Sequence, residues 1–226
     1  MLVQIQTVPL GSQLDIQIKR AQRLIPARTG HSLRRAFVSR TSVSHPLKIA
    51  TLPVGINGGG IGVTFAPGKH QAVAMTGSWS RDLNVDLASI VDWGAKLLLT
   101  LIEPWEFEEL QITSLEERAK AHGLIWHGLP ITDGAAPDAR LLEPWRSLGP
   151  KLASELLSGT RIVVHCKGGL GRAGTVASML LLETGCASDG SDAIAKVRSV
   201  RPGAVETPEQ EKFILNWSAH RIPGLG

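Results

Sequence analysis

The chain has 226 residues, of which 43% are hydrophobic, and this length is sufficient for one domain with a single core. Its apolar runs are far too short to cross a bilayer, so we expect no transmembrane segment. Its two cysteines, Cys166 and Cys186, provide no disulfide framework of the kind that small secreted proteins use. A reducing, cytoplasmic location is therefore expected.

The positive charge is concentrated in the first 45 residues. The whole chain has a formal net charge of +4, yet this segment carries many Lys and Arg side chains against Asp15 alone. We predict a basic, flexible N-terminal extension over residues 1–45 and a folded domain over residues 46–226. An organellar transit peptide, or an arm that contacts a membrane surface or nucleic acid, is the alternative for the extension. No nucleic-acid partner is expected for the domain.

From residue 47 onward, strand patterns alternate with helix patterns. Short β-branched or apolar runs predict strands, and apolar residues three or four positions apart predict helices. The predicted strands are 49–54, 61–65, 96–102, 124–129 and 161–165. The predicted helices are 82–94, 113–122 with a capping box at Thr113, and 137–157. This alternation favours an α/β fold, a single domain with a central, mainly parallel sheet flanked by helices.

A glycine-rich turn follows the last predicted strand and leads into an apolar helix. It reads His-Cys-Lys-Gly-Gly-Leu-Gly-Arg-Ala-Gly-Thr over residues 165–175. In such a turn, backbone N–H groups and the helix N-terminus form an anion site that also stabilises a thiolate. Cys166 lies at its mouth, and Arg172 offers a planar fork of donors for two phosphate oxygens. The pattern predicts thiolate chemistry on a phosphate group.

Other interpretations of this turn fit less well. A nucleotide-binding P-loop needs a lysine at the position that Thr175 occupies. We expect no metal, because the chain has no C-x-x-C pair and no second His/Cys pair, and no organic cofactor is implied. A buried structural cysteine on a glycine-rich turn is the remaining alternative.

The run of residues 165–172 resembles the Cys-x5-Arg signature of the cysteine-based protein phosphatases, and is most similar to the dual-specificity enzymes of the kinase-associated phosphatase family. The resemblance implies that Cys166 is the nucleophile and that Arg172 holds the phosphoryl group. It also implies that the loop between them binds the substrate phosphate; its residues are Lys167, Gly168, Gly169, Leu170 and Gly171. His165 is expected to order this loop by hydrogen bonding.

A second motif of the family supplies a candidate general acid. Residues 130–138 resemble the family's Pro-Ile-x-Asp-Gly-x-x-Pro-Asp segment, and this match makes Asp133 the acid that protonates the leaving group. The alternative is that Asp133 only begins a turn, while Asp138 lies in the first turn of a helix opened by Pro137. Further along, Gln210 either orients the hydrolytic water or closes a helix-capping box with Thr207.

One residue departs from the family pattern. Many relatives carry Ser or Thr directly after the arginine, where the hydroxyl stabilises the departing sulfur, but this chain has Ala173. Thr175 is the nearest substitute. The expected activity is hydrolysis of phosphomonoesters through a phosphocysteine, with phosphotyrosine in proteins or peptides as the first substrate class and phosphoserine or phosphothreonine as further ones. A phosphate-binding pseudophosphatase and an inositide or small-molecule phosphatase are the alternatives, and the sequence does not define the oligomeric state.

Overall fold

The computed structural model describes residues 39–74 and 77–217. The strands are β1 Ala50–Val54, β2 Gly59–Phe65, β3 His70–Gln71, β4 Trp79–Ser80, β5 Ala95–Thr100, β6 Ile125–Gly128 and β7 Arg161–Cys166. The helices are α1 Leu83–Asp92, α2 Pro104–Glu109, α3 Leu115–Ala121, α4 Ala139–Leu157, α5 Gly171–Glu183, α6 Gly190–Val200 and α7 Pro208–Leu215. None of the helices in these two ranges combines the length and the hydropathy that crossing a membrane requires.

One sheet organises the domain, with strand order β1–β2–β7–β5–β6. β2, β7, β5 and β6 run parallel to one another, and β1 joins the edge antiparallel to β2. The predicted α/β fold with a mainly parallel sheet is therefore confirmed. A second, two-stranded sheet pairs β3 with β4.

The central strand β7 is buried on both faces, and its alternating side chains enter two separate cores. Ile162 and Val164 belong to one apolar cluster, whereas Val163 belongs to the other. Helix α5 packs in the first cluster, and all of its residues are buried. Because β7 is central and parallel, its carboxyl end opens at the edge of the sheet where α/β proteins bind ligands. Cys166 is the last residue of that strand.

Two predicted helix starts are wrong in their details. The helix predicted to begin with a capping box at Thr113 begins at Leu115, and its N-cap residue Ser114 makes no side-chain capping bond. The helix predicted from residue 137 begins at Ala139. Asp138 stands outside it as the N-cap, because its carboxylate accepts a hydrogen bond from the Arg140 backbone N–H at 2.9 Å.

Residues 39–45 contact the domain. Arg40 forms an isolated β-bridge with Trp79. Arg81 donates from Nη1 to the backbone oxygen of His45 at 2.7 Å. The buried hydroxyl of Ser42 accepts from the Asp82 N–H at 2.9 Å. The remainder of the segment that we predicted as an extension, residues 1–38, lies outside the described residues.

Candidate active site

The loop after β7 directs a backbone amide at the thiol. Cys166 is only 3% exposed, and the Gly169 N–H donates to Cys166 Sγ at 3.2 Å. Gly169 has a φ of 70°, and a Cβ at this position would lie 2.4 Å from the backbone carbon of Thr64. Glycine is therefore required here for the loop to approach β2 closely.

Arg172 ends the same loop, and its buried guanidinium is bonded to protein groups through the two terminal nitrogens. Its two terminal nitrogens donate to the two carboxylate oxygens of Glu106, and Nη1 also donates to the Ile131 backbone oxygen at 3.2 Å. Nη2 lies 3.0 Å from Asp133 Oδ1. Burial opposes the charge, but the acceptor Glu106 and the neighbouring Cys166 and Asp133 raise the pKa of Arg172 above its ordinary value. Nη1 and Nη2 thus have partners, while the buried Nε has none among the described residues.

Glu106 is a site residue that the sequence patterns do not predict, because it lies on α2, a helix absent from the predicted elements. Its side chain is buried, and Oε2 also accepts the Glu103 N–H at 2.8 Å. The available signal was the run Glu103-Pro104-Trp105-Glu106, which has proline at the first helical position and glutamate at the third. The start of the helix therefore fixes the carboxylate that holds Arg172.

Two further cations were also missed, and both bind the outer side of the loop. Lys69 Nζ donates to the Lys167 backbone oxygen at 3.3 Å. Arg201 donates from Nε to the Gly169 oxygen at 2.9 Å and from Nη2 to the Gly168 oxygen at 3.1 Å. They come from the segments that follow β2 and α6, so no spacing in the sequence links them to Cys166.

His165 lies fully buried behind the loop. Its Nε2 lies 2.7 Å from Thr100 Oγ1, which in turn accepts from Trp126 Nε1 at 2.8 Å. Burial lowers the pKa of His165 to about 3, and the nearby positive charge of Arg172 contributes to the shift. The imidazole is therefore neutral at physiological pH, and its contacts are those of a residue that orders β7 against β5.

The two candidate acids occupy different environments. Asp133 lies on the loop between β6 and α4, where its side chain is 67% exposed and forms an ion pair with Arg172. Asp138 caps α4 and accepts from Arg140 Nε and Nη2, at 3.0 and 2.8 Å from its Oδ2. The bonds from Arg140 lower the pKa of Asp138. Of these two candidate acids, Asp133 is the one that contacts Arg172.

Gln210 joins the acid loop to the start of α7. Its Oε1 accepts the Glu206 N–H at 3.0 Å, and its Nε2 donates to the Ala135 oxygen at 3.2 Å. The Thr207 hydroxyl caps the helix and also donates to the Gly134 oxygen at 2.9 Å. The predicted capping box is therefore present, and it also anchors the segment that carries Asp133.

The remaining predicted site residues lie in the same turn or in the first turns of α5. Lys167 pairs with Glu109 at 2.6 Å, and the Gly171 N–H donates to Glu206 Oε2 at 2.7 Å. Leu170 is the N-cap of α5, and Gly168 is exposed. The Thr175 hydroxyl donates to the Gly171 oxygen at 2.9 Å, and Ala173 is buried. Within residues 39–74 and 77–217, no group of three or more His, Cys, Asp or Glu side chains is placed to hold a metal ion.

A buried thiol at the end of a central parallel strand, faced by a loop amide and followed by a buried arginine, defines the cysteine-phosphatase class of site. A family model described as "Swiss Army Knife protein, DSP-PTPase phosphatase domain" matches residues 79–214. This range covers more than half of the chain, and the chain therefore belongs to that family of phosphatase domains.

Individual relatives agree with this assignment. Cyclin-dependent kinase inhibitor 3 of Rattus norvegicus is 28% identical over 135 residues, which are 59% of this chain and 62% of the rat protein. Protein tyrosine phosphatase type IVA 3 of Homo sapiens is 36% identical over 80 residues, which cover 35% of this chain and 44% of the human protein. The chain thus matches less than two thirds of the length of each of these relatives.

Solved structures share the fold. The crystal structure of kinase-associated phosphatase with its catalytic-site cysteine replaced by serine superposes with a TM-score of 0.65 and 24% identity, covering 75% of this chain and 92% of that one. The structure of Tk-PTP in its active form gives a TM-score of 0.50 and 25% identity, over 70% and 91% of the two chains. The expected resemblance to dual-specificity phosphatases is confirmed.

Proposed function

We propose that this domain hydrolyses phosphomonoesters through a phosphocysteine formed on Cys166. The observation that carries the proposal is the pairing of two groups at one loop. Gly169 N–H is directed at the Cys166 sulfur, and Arg172 is held by Glu106, while its buried Nε has no partner in the part of the chain that the structure describes. A buried donor needs an acceptor, and a bound phosphoryl oxygen supplies one.

In the first step the Cys166 thiolate attacks phosphorus in line with the ester oxygen. A sulfur–phosphorus bond forms and the phosphorus–oxygen bond breaks, while the loop amides and Arg172 hold the equatorial oxygens. Asp133 gives its proton to the leaving oxygen. The location of Asp133 beside Arg172 supports this role, whereas Arg140 keeps Asp138 ionised at the start of α4.

In the second step water attacks the phosphocysteine, and Asp133 takes the proton from that water. The sulfur then leaves as thiolate and inorganic phosphate is released. Ala173 has no hydroxyl to stabilise the departing sulfur, and the Thr175 hydroxyl is bonded to the Gly171 oxygen instead. We therefore expect breakdown of the intermediate to be the slower step.

Phosphotyrosine in a protein or peptide is the proposed substrate class. Cys166 is 3% exposed, so the phosphate must reach into the loop at the end of a long side chain, and phosphotyrosine is longer than phosphoserine. Lys167, which would favour an inositide, is paired with Glu109. The relatives named cyclin-dependent kinase inhibitor 3 are consistent with a protein partner.

Hydrolysis of an aryl phosphate by the wild type and by Cys166→Ser tests the proposal. The serine variant should lose turnover because its hydroxyl is not ionised, and Glu108→Gln, an exposed change on α2, should retain it. Equal rates for wild type and Cys166→Ser would exclude a thiolate nucleophile. Specificity constants on phosphopeptides and soluble inositol phosphates would then rank the substrate classes.

A phosphate-binding module without turnover is the second candidate, and Ala173 with the engaged Thr175 hydroxyl favours it. In that case the wild type would bind a phosphopeptide with an affinity that Arg172→Lys weakens, yet show no hydrolysis above background.

For the N-terminal segment we propose an extension that the activity does not need. A variant that lacks residues 1–38 keeps the contacts of Arg40 and Ser42 with the domain and should retain kcat/KM. Imaging of tagged full-length and truncated forms would test the proposed cytoplasmic location against a targeting role for the segment.

A further inference from the structure

Three successive carbonyl groups of the phosphate loop are bound by cationic side chains. Lys69 Nζ donates to the Lys167 oxygen, and Arg201 donates to the oxygens of Gly168 and Gly169, at distances of 2.9–3.3 Å. The two cations approach from different parts of the fold, Lys69 from the segment after β2 and Arg201 from the end of α6. Lys69 is buried and Arg201 is partly exposed.

This arrangement fixes the direction of the loop amides. In a trans peptide the carbonyl and the following N–H point to opposite sides of the chain. Carbonyls that are held on the outer side therefore turn the N–H groups of residues 168–170 inward. The Gly169 N–H, which donates to Cys166 Sγ, already has this orientation.

Lys69 is itself held in place by a buried network. The N–H of Gly68 donates to Asp86 Oδ2 at 2.8 Å, and the same carboxylate forms a buried ion pair with Arg81. Lys69 Nζ lies 4.9 Å from the ring centroid of Phe65 and 5.0 Å from that of Trp79. Aromatic faces at these distances favour the ammonium form.

We propose that Lys69 and Arg201 are positioning residues that hold the phosphate loop in its anion-binding conformation through its carbonyl groups, and that protonation of Lys69 controls this hold. The inference rests on the proposed function only in that the loop binds an oxyanion.

The electrostatic surroundings of Lys69 place its protonation in an accessible pH range. Burial lowers the pKa of Lys69 to about 8, and the positive charges of Arg81, Lys167 and Arg201 act in the same direction, while Cys166 opposes them. Arg201 stays charged throughout, since guanidinium groups do not lose their proton in proteins. At neutral pH both Lys69 and Arg201 are therefore charged and bind the loop carbonyls. In mildly alkaline solution Lys69 loses its charge, and Arg201 alone remains charged.

Direct binding of tungstate, a tetrahedral dianion, tests the inference without requiring turnover. Calorimetric titrations of the full chain would be made from about pH 7 to about pH 10, a range that spans the expected loss of the Lys69 proton. Wild type should lose affinity as the pH rises through about 8, the pKa of Lys69. Lys69→Arg should bind at neutral pH and retain its affinity across the range. Lys69→Met should bind about 10- to 100-fold more weakly at pH 7, the usual effect of losing a bond from a charged donor, and should lack this loss of affinity.

Two controls complete the design. Lys120→Met removes an exposed lysine that forms an ion pair with Glu116 on α3, and its binding curve should match the wild type. Arg201→Met should weaken binding at every pH but keep a decrease at alkaline pH, because Lys69 is still present; the decrease should move to higher pH, since the charge of Arg201 no longer lowers the pKa of Lys69.

The outcomes separate this inference from the proposed function. If Lys69→Arg retains the wild-type loss of affinity, another group titrates and the proton-dependent role of Lys69 is wrong. If Lys69→Met or Arg201→Met binds tungstate as tightly as wild type, the contacts with the loop carbonyls do not hold the loop in its anion-binding conformation, and the inference is wrong. If Lys69→Met does not fold, the Lys69→Arg curve still tests the role of the Lys69 proton, and the Arg201→Met curve still tests the contacts with the loop carbonyls. Normal tungstate binding without hydrolysis of any phosphate ester would overturn the proposed function and leave the inference standing.

Discussion

Replacing Glu106 by glutamine should show how much the orientation of the Arg172 guanidinium contributes, because the substitution leaves Arg172 itself unchanged. The glutamate accepts from both terminal nitrogens of Arg172, with Nη2 to Oε1 at 3.0 Å, and both side chains are buried. Glutamine keeps the shape but not the charge, and one of its terminal atoms becomes a donor that faces another donor. Removing one partner of a buried ion pair lowers the free energy of unfolding by about 3–5 kcal/mol. Because glutamine can keep one of the two bonds to Arg172, we expect Glu106→Gln to lose about 3 kcal/mol.

The effect on catalysis should exceed what instability alone causes. Arg172 would no longer direct its Nε toward the phosphoryl group, and losing one correctly placed donor costs about 10²- to 10³-fold in rate. Chemical denaturation gives the change in unfolding free energy, and steady-state hydrolysis of an aryl phosphate below the unfolding range gives kcat/KM. Glu108→Gln on the same helix is the matched control, since an exposed substitution changes stability by less than about 0.5 kcal/mol.

Two results would refute this reasoning. A Glu106→Gln protein with wild-type stability and kinetics would show that the pair neither stabilises the domain nor aims Arg172. A variant with lowered stability but unchanged kcat/KM would restrict Glu106 to a structural role.

Three further predictions concern the acid, the second step and the buried lysine. Asp133→Ala should slow turnover of a substrate with a poor leaving group by about 10²- to 10⁴-fold, whereas Asp138→Ala should mainly weaken α4; equal kinetic losses in the two variants would make Asp133 the wrong acid. Ala173→Ser should shrink any pre-steady-state burst of released phenol, and an unchanged burst would mean that breakdown is not limiting. Because the pKa of Lys69 falls from 10.5 to about 8 on folding, the unfolded chain binds this proton more tightly, and the cost of burying the ammonium is fully present below about pH 8. In denaturation curves the free energy of unfolding of wild type should therefore rise by about 3 kcal/mol relative to that of Lys69→Met between pH 7 and pH 10.5; a difference that is independent of pH would contradict this.

The sequence predicts the parts of the site that lie close together along the chain. Cys166, the loop glycines and Arg172 belong to one strand–turn–helix unit, so local pattern and residue chemistry are sufficient to locate them. The capping box at Thr207 and Gln210 is equally local, and the structure contains it.

The parts that were missed depend on tertiary contacts. Glu106 binds Arg172 across 66 positions of sequence, and Arg201 and Lys69 reach the loop from separate segments. A single sequence carries no signal for such pairings. The predicted start of α4 is too early because the prediction includes Asp138 in the helix, whereas Asp138 is the N-cap and its carboxylate accepts from the Arg140 backbone N–H.

Trapping the intermediate on Cys166 tests the central claim most directly. The wild type would be mixed with an aryl phosphate, quenched in acid within the first turnover, digested, and analysed by mass spectrometry under conditions that preserve phosphocysteine. If breakdown is the slower step, as Ala173 leads us to expect, the peptide that contains Cys166 should gain the mass of one phosphoryl group. The same peptide from Cys166→Ser should not. Release of phenol at the full rate with no phosphoryl group on that peptide, under the same quench, would contradict the account.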